Sequence, residues 1–212
     1  MKPNCCIILL TLFLAACQTS LITDLTVPSD RVLFKDNFVD LTSGWPRTVS
    51  ANGGEDYTDG SYRIEINIPQ YDLWAVPGQA FSDVKVEVDA TRLSGPDANR
   101  FGVVCRYRNP QNNYFYIISS DGYYAIGKTL NGTTSLLGQE MMAFSTAIIQ
   151  GDGLNHLRFD CIGRTLTGYI NGKAIASARD VDFSNGDAGL LAGAFNTAGV
   201  QVSFKNFLVT KP

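Results

Sequence analysis

The feature that most constrains the fold of this chain is a short-range alternation of apolar and polar residues that recurs along most of its length. Residues 62–68, 84–91 and 101–108 each place apolar side chains at about every second position. A period of two sends alternate side chains to opposite faces of a β-strand, so one face is buried and the other is wetter. Residues 139–149 come closest to a helical period, and they support no more than one short turn. The chain is therefore predicted to fold from strands.

Further strands are predicted over residues 113–119, 122–128, 155–162, 165–170, 173–178, 187–195 and 200–209. Clusters of Gly, Asn, Asp and Ser separate several of them, and the Asn171-Gly172 pair indicates the clearest hairpin. About a dozen short strands cannot bury their apolar faces as one flat sheet. The prediction is an all-β fold, a two-sheet antiparallel sandwich or jelly roll.

The first 16 residues differ in character from the rest. Lys2 precedes an unbroken apolar or small run over residues 6–16, which is shorter than the roughly 20 residues of a transmembrane helix and typical of an export signal. The run ends in Leu14-Ala15-Ala16-Cys17, which resembles the lipobox of bacterial lipoproteins. The resemblance implies cleavage before Cys17 and a diacylglycerol on its thiol, and two or more acyl chains give a stable membrane anchor. An ordinary secretory signal cut after Ala16, leaving Cys17 as a free thiol, is the alternative.

The predicted organisation is a signal peptide over residues 1–16, a lipidated cysteine with a flexible polar tether over residues 17–30, and one folded domain over residues 31–212. The domain is then extracytoplasmic and held at a membrane. In Gram-negative lipoproteins an aspartate after the lipidated cysteine favours retention in the inner membrane. Because Gln18 stands there instead, the resemblance implies the outer membrane in an organism that has one.

Charge and cysteine content limit the partners and the redox state. The chain carries a net charge of −3 and its arginines are scattered, which argues against nucleic acid because phosphates require clustered cations. Cys105 and Cys161 remain once Cys17 is acylated. In an oxidising compartment they form a disulfide or stay as two small buried residues on separate strands, and both interpretations are open. The sequence does not indicate an oligomeric state.

An ordered series of short motifs resembles one superfamily. The series consists of residues 34–38 (FKDNF), 43–45 (SGW), 59–64, 81–90, 102–107, 112–116, 121–124, 155–158, 171–172, 186–190 and 202–207. In this order the motifs resemble the concanavalin A-like lectin/glucanase superfamily, and more closely its laminin-G-like and 3-keto-disaccharide-hydrolase-type jelly rolls. The resemblance implies a concanavalin A-like fold. It leaves the activity open, because the superfamily holds enzymes, lectins and protein-binding modules.

The resemblance also indicates where catalytic acids would lie. Members similar to family-16 glycoside hydrolases carry Glu-x-Asp-x-Glu on one strand, and a retaining mechanism needs two carboxyl groups about 5–5.5 Å apart. Glu87 and Asp89 match the first two positions, but Thr91 replaces the acid/base. The one histidine, His156, is interpreted as a strand residue, and no nucleophile elbow or metal-spaced cluster occurs in the sequence. No catalytic residue is assigned. Glu87 and Asp89 are either ligand contacts or residues of a solvated strand face that form cross-strand ion pairs.

Calcium is the one metal that the resemblance suggests. Laminin-G-like domains often hold one Ca²⁺ through aspartates and backbone carbonyls. Asp36, Asp83 and Asp121 lie beside predicted strands and are the candidate ligands. Asx-type turns explain the same three residues equally well. No other cofactor is expected.

Aromatic residues supply the candidate ligand surface. Three neighbouring strands are expected to carry Tyr107, Tyr114, Tyr116, Tyr123 and Tyr124. Arg106, Arg108 and Trp74, the last from a loop at residues 72–74, are expected nearby. Aromatic faces stack on sugar C–H surfaces, so Tyr114 and Tyr116 are expected to face the ligand, with Phe115 and Ile117 on the other face. The alternative is that these tyrosines are ordinary strand residues that pack across the sheet.

These patterns favour a non-catalytic, membrane-tethered module whose concave sheet binds carbohydrate, either a glycan or a cell-wall polymer. Its expected partners are a membrane, through the lipid on Cys17, and that carbohydrate or surface polymer. A glycoside or 3-keto-disaccharide hydrolase is the alternative from the enzyme class. A structural or protein-interaction domain is the third interpretation.

Overall fold

The computed structural model describes Pro28 and residues 31–212. Within this part the chain contains no α-helix and forms 17 strands. The strands are β1 (Val32–Asp36), β2 (Thr48–Val49), β3 (Gly53–Tyr57), β4 (Tyr62–Ile66), β5 (Tyr71–Ala75), β6 (Ala80–Phe81), β7 (Val84–Ser94), β8 (Asn99–Asn109), β9 (Asn112–Ile118), β10 (Tyr123–Leu130), β11 (Thr133–Leu136), β12 (Ala143–Phe144), β13 (Asn155–Ile162), β14 (Thr165–Ile170), β15 (Lys173–Arg179), β16 (Gly186–Ala194) and β17 (Val200–Thr210).

The strands form two antiparallel sheets. Sheet I has the order β15-β14-β13-β7-β17-β4-β3-β2, with β1 paired to β17. Sheet II has the order β11-β10-β9-β8-β16-β5, with β12 beside β10 and β6 beside β16. The predicted all-β, two-sheet antiparallel sandwich is therefore confirmed.

The main core lies between the sheets and follows the predicted alternation on the strands of sheet I. On β7, Val84, Val86 and Val88 are buried, and Lys85 and Glu87 between them are only partly buried. Each fully buried aliphatic side chain of this kind contributes about 1.5–3 kcal/mol to folding. Lys85 and Glu87 lie on the opposite side of β7, which faces away from the core and is called the outer face of sheet I.

A disulfide joins the two sheets through the core. Cys105 on β8 and Cys161 on β13 are both fully buried, and their Cα atoms are 6.7 Å apart. Of the two interpretations left open by the sequence, the structure has the disulfide.

A bulge interrupts the alternation on β8. The register between β8 and β9 shifts between Cys105 and Asn109, and Arg106 has a left-handed φ of 48°. The Arg106 side chain points into the sandwich, where its guanidinium donates to the backbone oxygen of Phe183 at 2.9 Å and to Asp83 at 2.9 Å. Because of the bulge, Tyr107 lies on the outer face of sheet II, although the alternation placed it beside Cys105.

The N-terminal predictions fall outside the described residues. These predictions are the signal peptide, the lipidated Cys17 and nearly all of the tether. In residues 31–212 no helix is long and apolar enough to cross a membrane.

Candidate functional site

Sheet II carries a second apolar cluster on the face that points away from the main core. Val104, Phe115, Ile117, Ala125 and Leu191 form its centre, and each is almost fully buried. Partly buried side chains of Trp74, Val76, Tyr107, Leu136 and Met142 pack around it. The outer face of sheet II therefore carries a small apolar core of its own, surrounded by partly exposed apolar side chains.

A groove of about 610 Å³ lies over this cluster. Its lining consists of Asp72, Trp74, Arg100, Pro110, Gln111, Phe115, Ile117, Thr129, Gly132, Thr134, Leu136, Met142, Leu191 and Phe195. Ligand pockets typically combine such apolar walls with a few well-placed polar groups, at volumes of roughly 300–1,000 Å³. A second depression of about 510 Å³, beside β1, is lined mainly by polar side chains such as Lys35, Asn37 and Asp40. The groove on sheet II is therefore the better candidate for a ligand site.

Glycines shape the floor of the groove. Gly127 on β10 pairs with Phe115 on β9, and a Cβ atom at Gly127 would lie 2.2 Å from Cζ of the Phe115 ring. The far edge of the ring therefore lies directly over the glycine, where any larger residue would displace it. This packing places the ring beside Ile117 and Leu191 at the base of the groove, where each of the three residues is only 3–5% exposed.

One end of the groove is polar, because an ion pair spans three strands there. Gly193 on β16 is paired with Asp72 on β5 and with Arg100 on β8. Since Gly193 has no side chain, the two flanking side chains meet above it, and Arg100 Nε donates to Asp72 Oδ1 at 2.5 Å. The Arg100 guanidinium also lies 4.6 Å from the centre of the Phe195 ring. This stacking holds the guanidinium plane in place.

Much of the hydrogen-bonding capacity of this pair is unused. Within residues 31–212, Oδ2 of Asp72 and both Nη groups of Arg100 have no hydrogen-bond partner, and these atoms are not buried. Burial raises the pKa of Asp72, although the bond to Arg100 works in the opposite direction. The pair therefore presents several N–H donors and one carboxylate acceptor side by side to the groove.

The remaining polar groups lie along the walls. The hydroxyls of Thr129 and Thr134 are 3.1 Å apart on neighbouring strands, and Gln111 lines the groove near them. The indole Nε1 of Trp74 is buried and has no partner within the described residues. Buried donors without a partner are uncommon, and a ligand or an ordered water often supplies the missing bond.

The expectation that Tyr114 and Tyr116 face a ligand is wrong. Both are fully buried in the main core, and Phe115 and Ile117 occupy the outer face instead. The Tyr116 ring packs against Gly168 of sheet I, and the Tyr114 hydroxyl donates to Asp180 at 2.6 Å. Alternation alone could not choose between the faces of β9, because both carry large apolar side chains.

Of the other predicted aromatic contacts, Trp74 lies in the groove and Tyr107 beside the outer cluster, whereas Tyr123 and Tyr124 lie outside the groove lining. Trp74 lines the groove, although it lies on β5 and not in the loop that was expected. Tyr107 packs against the outer cluster, and burial raises its pKa to about 12. Tyr123 is exposed at the end of β10, where its ring centre lies 5.6 Å from that of Phe144, outside the groove lining. Tyr124 is partly buried against the main core.

The predicted arginine contacts do not lie in the groove. Arg106 is buried inside the sandwich, so its assignment as a ligand contact is wrong. Arg108 is exposed and lies 5.3 Å from the centre of the Phe183 ring. The arginine that does line the groove is Arg100, eight residues earlier along the same strand as Arg108.

Glu87 and Asp89 lie on the opposite side of the molecule, on the outer face of sheet I. His156 on β13 contacts both, with Nδ1 2.7 Å from Asp89 and Nε2 3.2 Å from Glu87. These contacts, first the bond to Glu87, raise the pKa of His156 to about 9. The structure thus has cross-strand ion pairs at these positions, which was one of the two interpretations of the sequence.

The three candidate calcium ligands do not form a common site. Asp36 accepts bonds from Trp45 Nε1 and the Phe38 backbone, Asp83 from Arg106 and the Gly163 backbone, and Asp121 from Ser119. Among residues 31–212 no group of three or more acidic, histidine or cysteine side chains is placed to hold a metal ion. The residues present do not fit a shared calcium site.

Sequence reasoning missed Asp72, Arg100, Phe195 and the apolar residues of β9, β11 and β16. Gly193 was the available signal, because a glycine inside a strand often marks a close approach of neighbouring groups. The pairing of Asp72 with Arg100 depends on β16 lying between their strands, and no local pattern shows that order.

Comparison with known proteins establishes the fold class alone. No protein-family model and no curated protein matches the sequence. The structure is similar to the carbohydrate binding module CBM66 from Bacillus subtilis, with a TM-score of 0.65 and 19% identity over 80% of this chain and 96% of that one. It is also similar to a β-glucanase of Bacillus licheniformis, with a TM-score of 0.57 and 12% identity over 84% and 97%. For the GH43 protein BlXynB of Bacillus licheniformis the TM-score is 0.58 and the identity 13%, over 84% of this chain and 39% of that one.

Proposed function

We propose that this protein is a lipid-anchored, extracytoplasmic module that binds a carbohydrate in the groove on sheet II without cleaving it. The observation that carries the proposal is the groove itself, in which an aromatic and aliphatic floor adjoins the partly unsatisfied Asp72–Arg100 pair. Sugar rings present C–H faces and hydroxyl edges, so they require these two kinds of surface side by side. The fold similarity to a carbohydrate binding module supports the same class of ligand.

Glycoside hydrolysis is the weaker alternative, although two of the similar structures are a β-glucanase and a GH43 protein. A two-carboxylate mechanism needs an acid and a second carboxylate that flank one glycosidic bond. Among the described residues that line the groove, Asp72 is the single carboxylate, and it is bonded to Arg100. The groove is therefore better suited to holding a sugar than to cleaving one.

The binding function is tested with the full-length chain on a glycan array, in a detergent without a sugar headgroup because a glycoside detergent would compete for the groove. The wild type is expected to bind at least one glycan, and Trp74→Ala is expected to lose at least tenfold in affinity. Tyr169→Ala is the matched control, since Tyr169 is a partly buried aromatic residue on the outer face of sheet I. Absence of binding, or equal losses in both variants, would rule the proposal out.

Membrane attachment is tested separately. The lipobox-like residues 14–17 lie outside the described part of the structure, so this half of the proposal depends on the sequence alone. Expression in a bacterial host with labelled palmitate is expected to label the wild type and not Cys17→Ala. Equal labelling of the two proteins, or none in either, would contradict lipidation at Cys17.

A further inference from the structure

The charges that line the groove limit the kind of carbohydrate that fits. Asp72 and Arg100 are the only ionisable side chains among the described residues of the lining. They carry opposite charges and are bonded to each other, so the groove has no net charge. Both are mostly buried, with 25% and 17% of their side chains exposed, so solvent screens their fields only in part.

An anionic sugar would meet both charges of this pair. A carboxylate or sulfate that approached the Nη groups of Arg100 would also approach Oδ2 of Asp72, since both belong to one ion pair above Gly193. Like charges in a desolvated site repel strongly, and separating the pair would leave Asp72 without its partner. A cationic sugar meets the reverse problem at Arg100.

A pair of adjacent hydroxyls has no such conflict. Each hydroxyl is both a donor and an acceptor, so one accepts from an Nη group of Arg100 while its neighbour donates to Oδ2 of Asp72. Bonds to charged groups are stronger than bonds between neutral groups, and neither charge has to be neutralised. The rest of the ring then packs against the partly exposed apolar lining, which consists of Trp74, Leu136 and Met142 above the buried floor.

We propose that the groove selects uncharged sugar residues and that the Asp72–Arg100 pair binds two adjacent hydroxyls of one ring, an inference that rests on the proposed carbohydrate-binding function. Neutral polysaccharides are then the ligand class. Polymers of uronic acids, sulfated glycans and phosphate-rich wall polymers are excluded by the groove. Trp74 and the floor supply affinity, and the ion pair supplies selectivity.

The test compares soluble polysaccharides in affinity gels and by titration calorimetry, with the full-length chain in a detergent without a sugar headgroup. The neutral set is a mixed-linkage glucan, an arabinoxylan, a galactomannan and a fructan; the anionic set is polygalacturonate and chondroitin sulfate. Low ionic strength is used, because any attraction to an anion is greatest there. The expected result is binding to at least one neutral polymer and to neither anionic polymer.

Variants then test the role of the pair. Asp72→Asn is expected to lower affinity for the bound neutral polymer at least tenfold. Arg100→Lys, which keeps the charge but loses the fork of N–H donors, is expected to do the same and serves as the second variant should the first fail to fold. Asp56→Asn is the matched control, because it breaks an exposed Asp–Arg pair on sheet I, with Arg47, and should leave affinity unchanged.

The outcomes separate this inference from the function on which it rests. Binding of an anionic polymer as tightly as a neutral one, or more tightly, would overturn the selectivity while carbohydrate binding stood. Wild-type affinity in the folded Asp72 and Arg100 variants would overturn the role of the pair. Binding to no polymer in either set, together with an empty glycan array, would remove the carbohydrate-binding function itself.

Discussion

Replacing Gly193 with alanine tests the central feature of the groove without removing any functional group. A Cβ atom at this position would lie 1.8 Å from Oδ1 of Asp72 and 2.8 Å from Nε of Arg100. Both contacts are with side-chain atoms and not with the backbone, so the Asp72 carboxylate can rotate away, but its bond to Arg100 then breaks. The backbone has no left-handed φ at Gly193, so it accepts alanine without strain.

The expected effect on stability is moderate. The Asp72–Arg100 pair is mostly buried, so breaking it costs more than breaking an exposed pair, about 1–3 kcal/mol. Alanine in place of glycine stabilises an unstrained position by about 0.4–1 kcal/mol through the unfolded chain. The net loss is then about 1–2 kcal/mol, which lowers the melting temperature by about 2–8 °C.

The expected effect on binding is separate from this loss of stability, because the variant remains folded. With the pair broken, Gly193→Ala should bind its neutral polysaccharide at least tenfold more weakly, by calorimetry at the same temperature. Gly102→Ala on β8 is the contrasting variant, because its Cβ would lie 2.0 Å from the backbone oxygen of Tyr116, which cannot rotate away. That variant should lose about 3 kcal/mol of stability. Unchanged affinity in Gly193→Ala, or a loss of stability equal to that of Gly102→Ala, would refute the reasoning.

Three further predictions concern the core and the outer face of sheet I. Tyr114→Phe removes the hydrogen bond donated to Asp180 and the one accepted from the Phe183 N–H, so it should cost about 1–3 kcal/mol in urea unfolding. Glycan affinity should stay unchanged, and a loss of affinity would contradict the burial of Tyr114 away from the groove. The Cys105–Cys161 disulfide closes a loop of 56 residues, so its reduction should lower the free energy of unfolding by about 4 kcal/mol. Before reduction, thiol alkylation followed by mass measurement should detect no free cysteine at these two positions. In the folded state the pKa of His156 is raised from 6.5 to about 9, so its contribution to folding stability is complete below pH 6.5 and declines as the pH rises through 9. His156→Gln should remove that decline when the melting temperature is measured as a function of pH. The same pH dependence in the wild type and the variant would contradict this prediction.

The sequence predicted the fold class because sheet I obeys a simple rule. On β7, valines alternate with Lys85, Glu87 and Asp89, so the alternation identifies both the strand and its buried side. The same rule failed on β9, where both faces are apolar because sheet II buries one core inside the sandwich and a second cluster outside it. A period of two therefore identifies such a strand but does not show which of its two faces packs in the main core.

The site was only partly predictable for a related reason. Trp74 was identified because tryptophan is rare and suits a sugar face, and it lies in the groove. The bulge at Arg106 moved Tyr107 to the outer face, and nothing in the local sequence marks that bulge. Asp72 and Arg100 are 28 residues apart, and their contact exists only because β16 returns from much later in the chain to lie between them.

The disulfide has a mechanical consequence. A chain that enters the fold at residue 31 joins β1 of sheet I, whereas the groove is on the outer face of sheet II. If the proposed lipid anchor and polymer binding both hold, tension on a bound polymer would pull the two sheets in opposite directions. The Cys105–Cys161 bond connects β8, the strand that carries Arg100, to β13 of sheet I, so under that proposal it would bear shear that side-chain packing alone would otherwise resist.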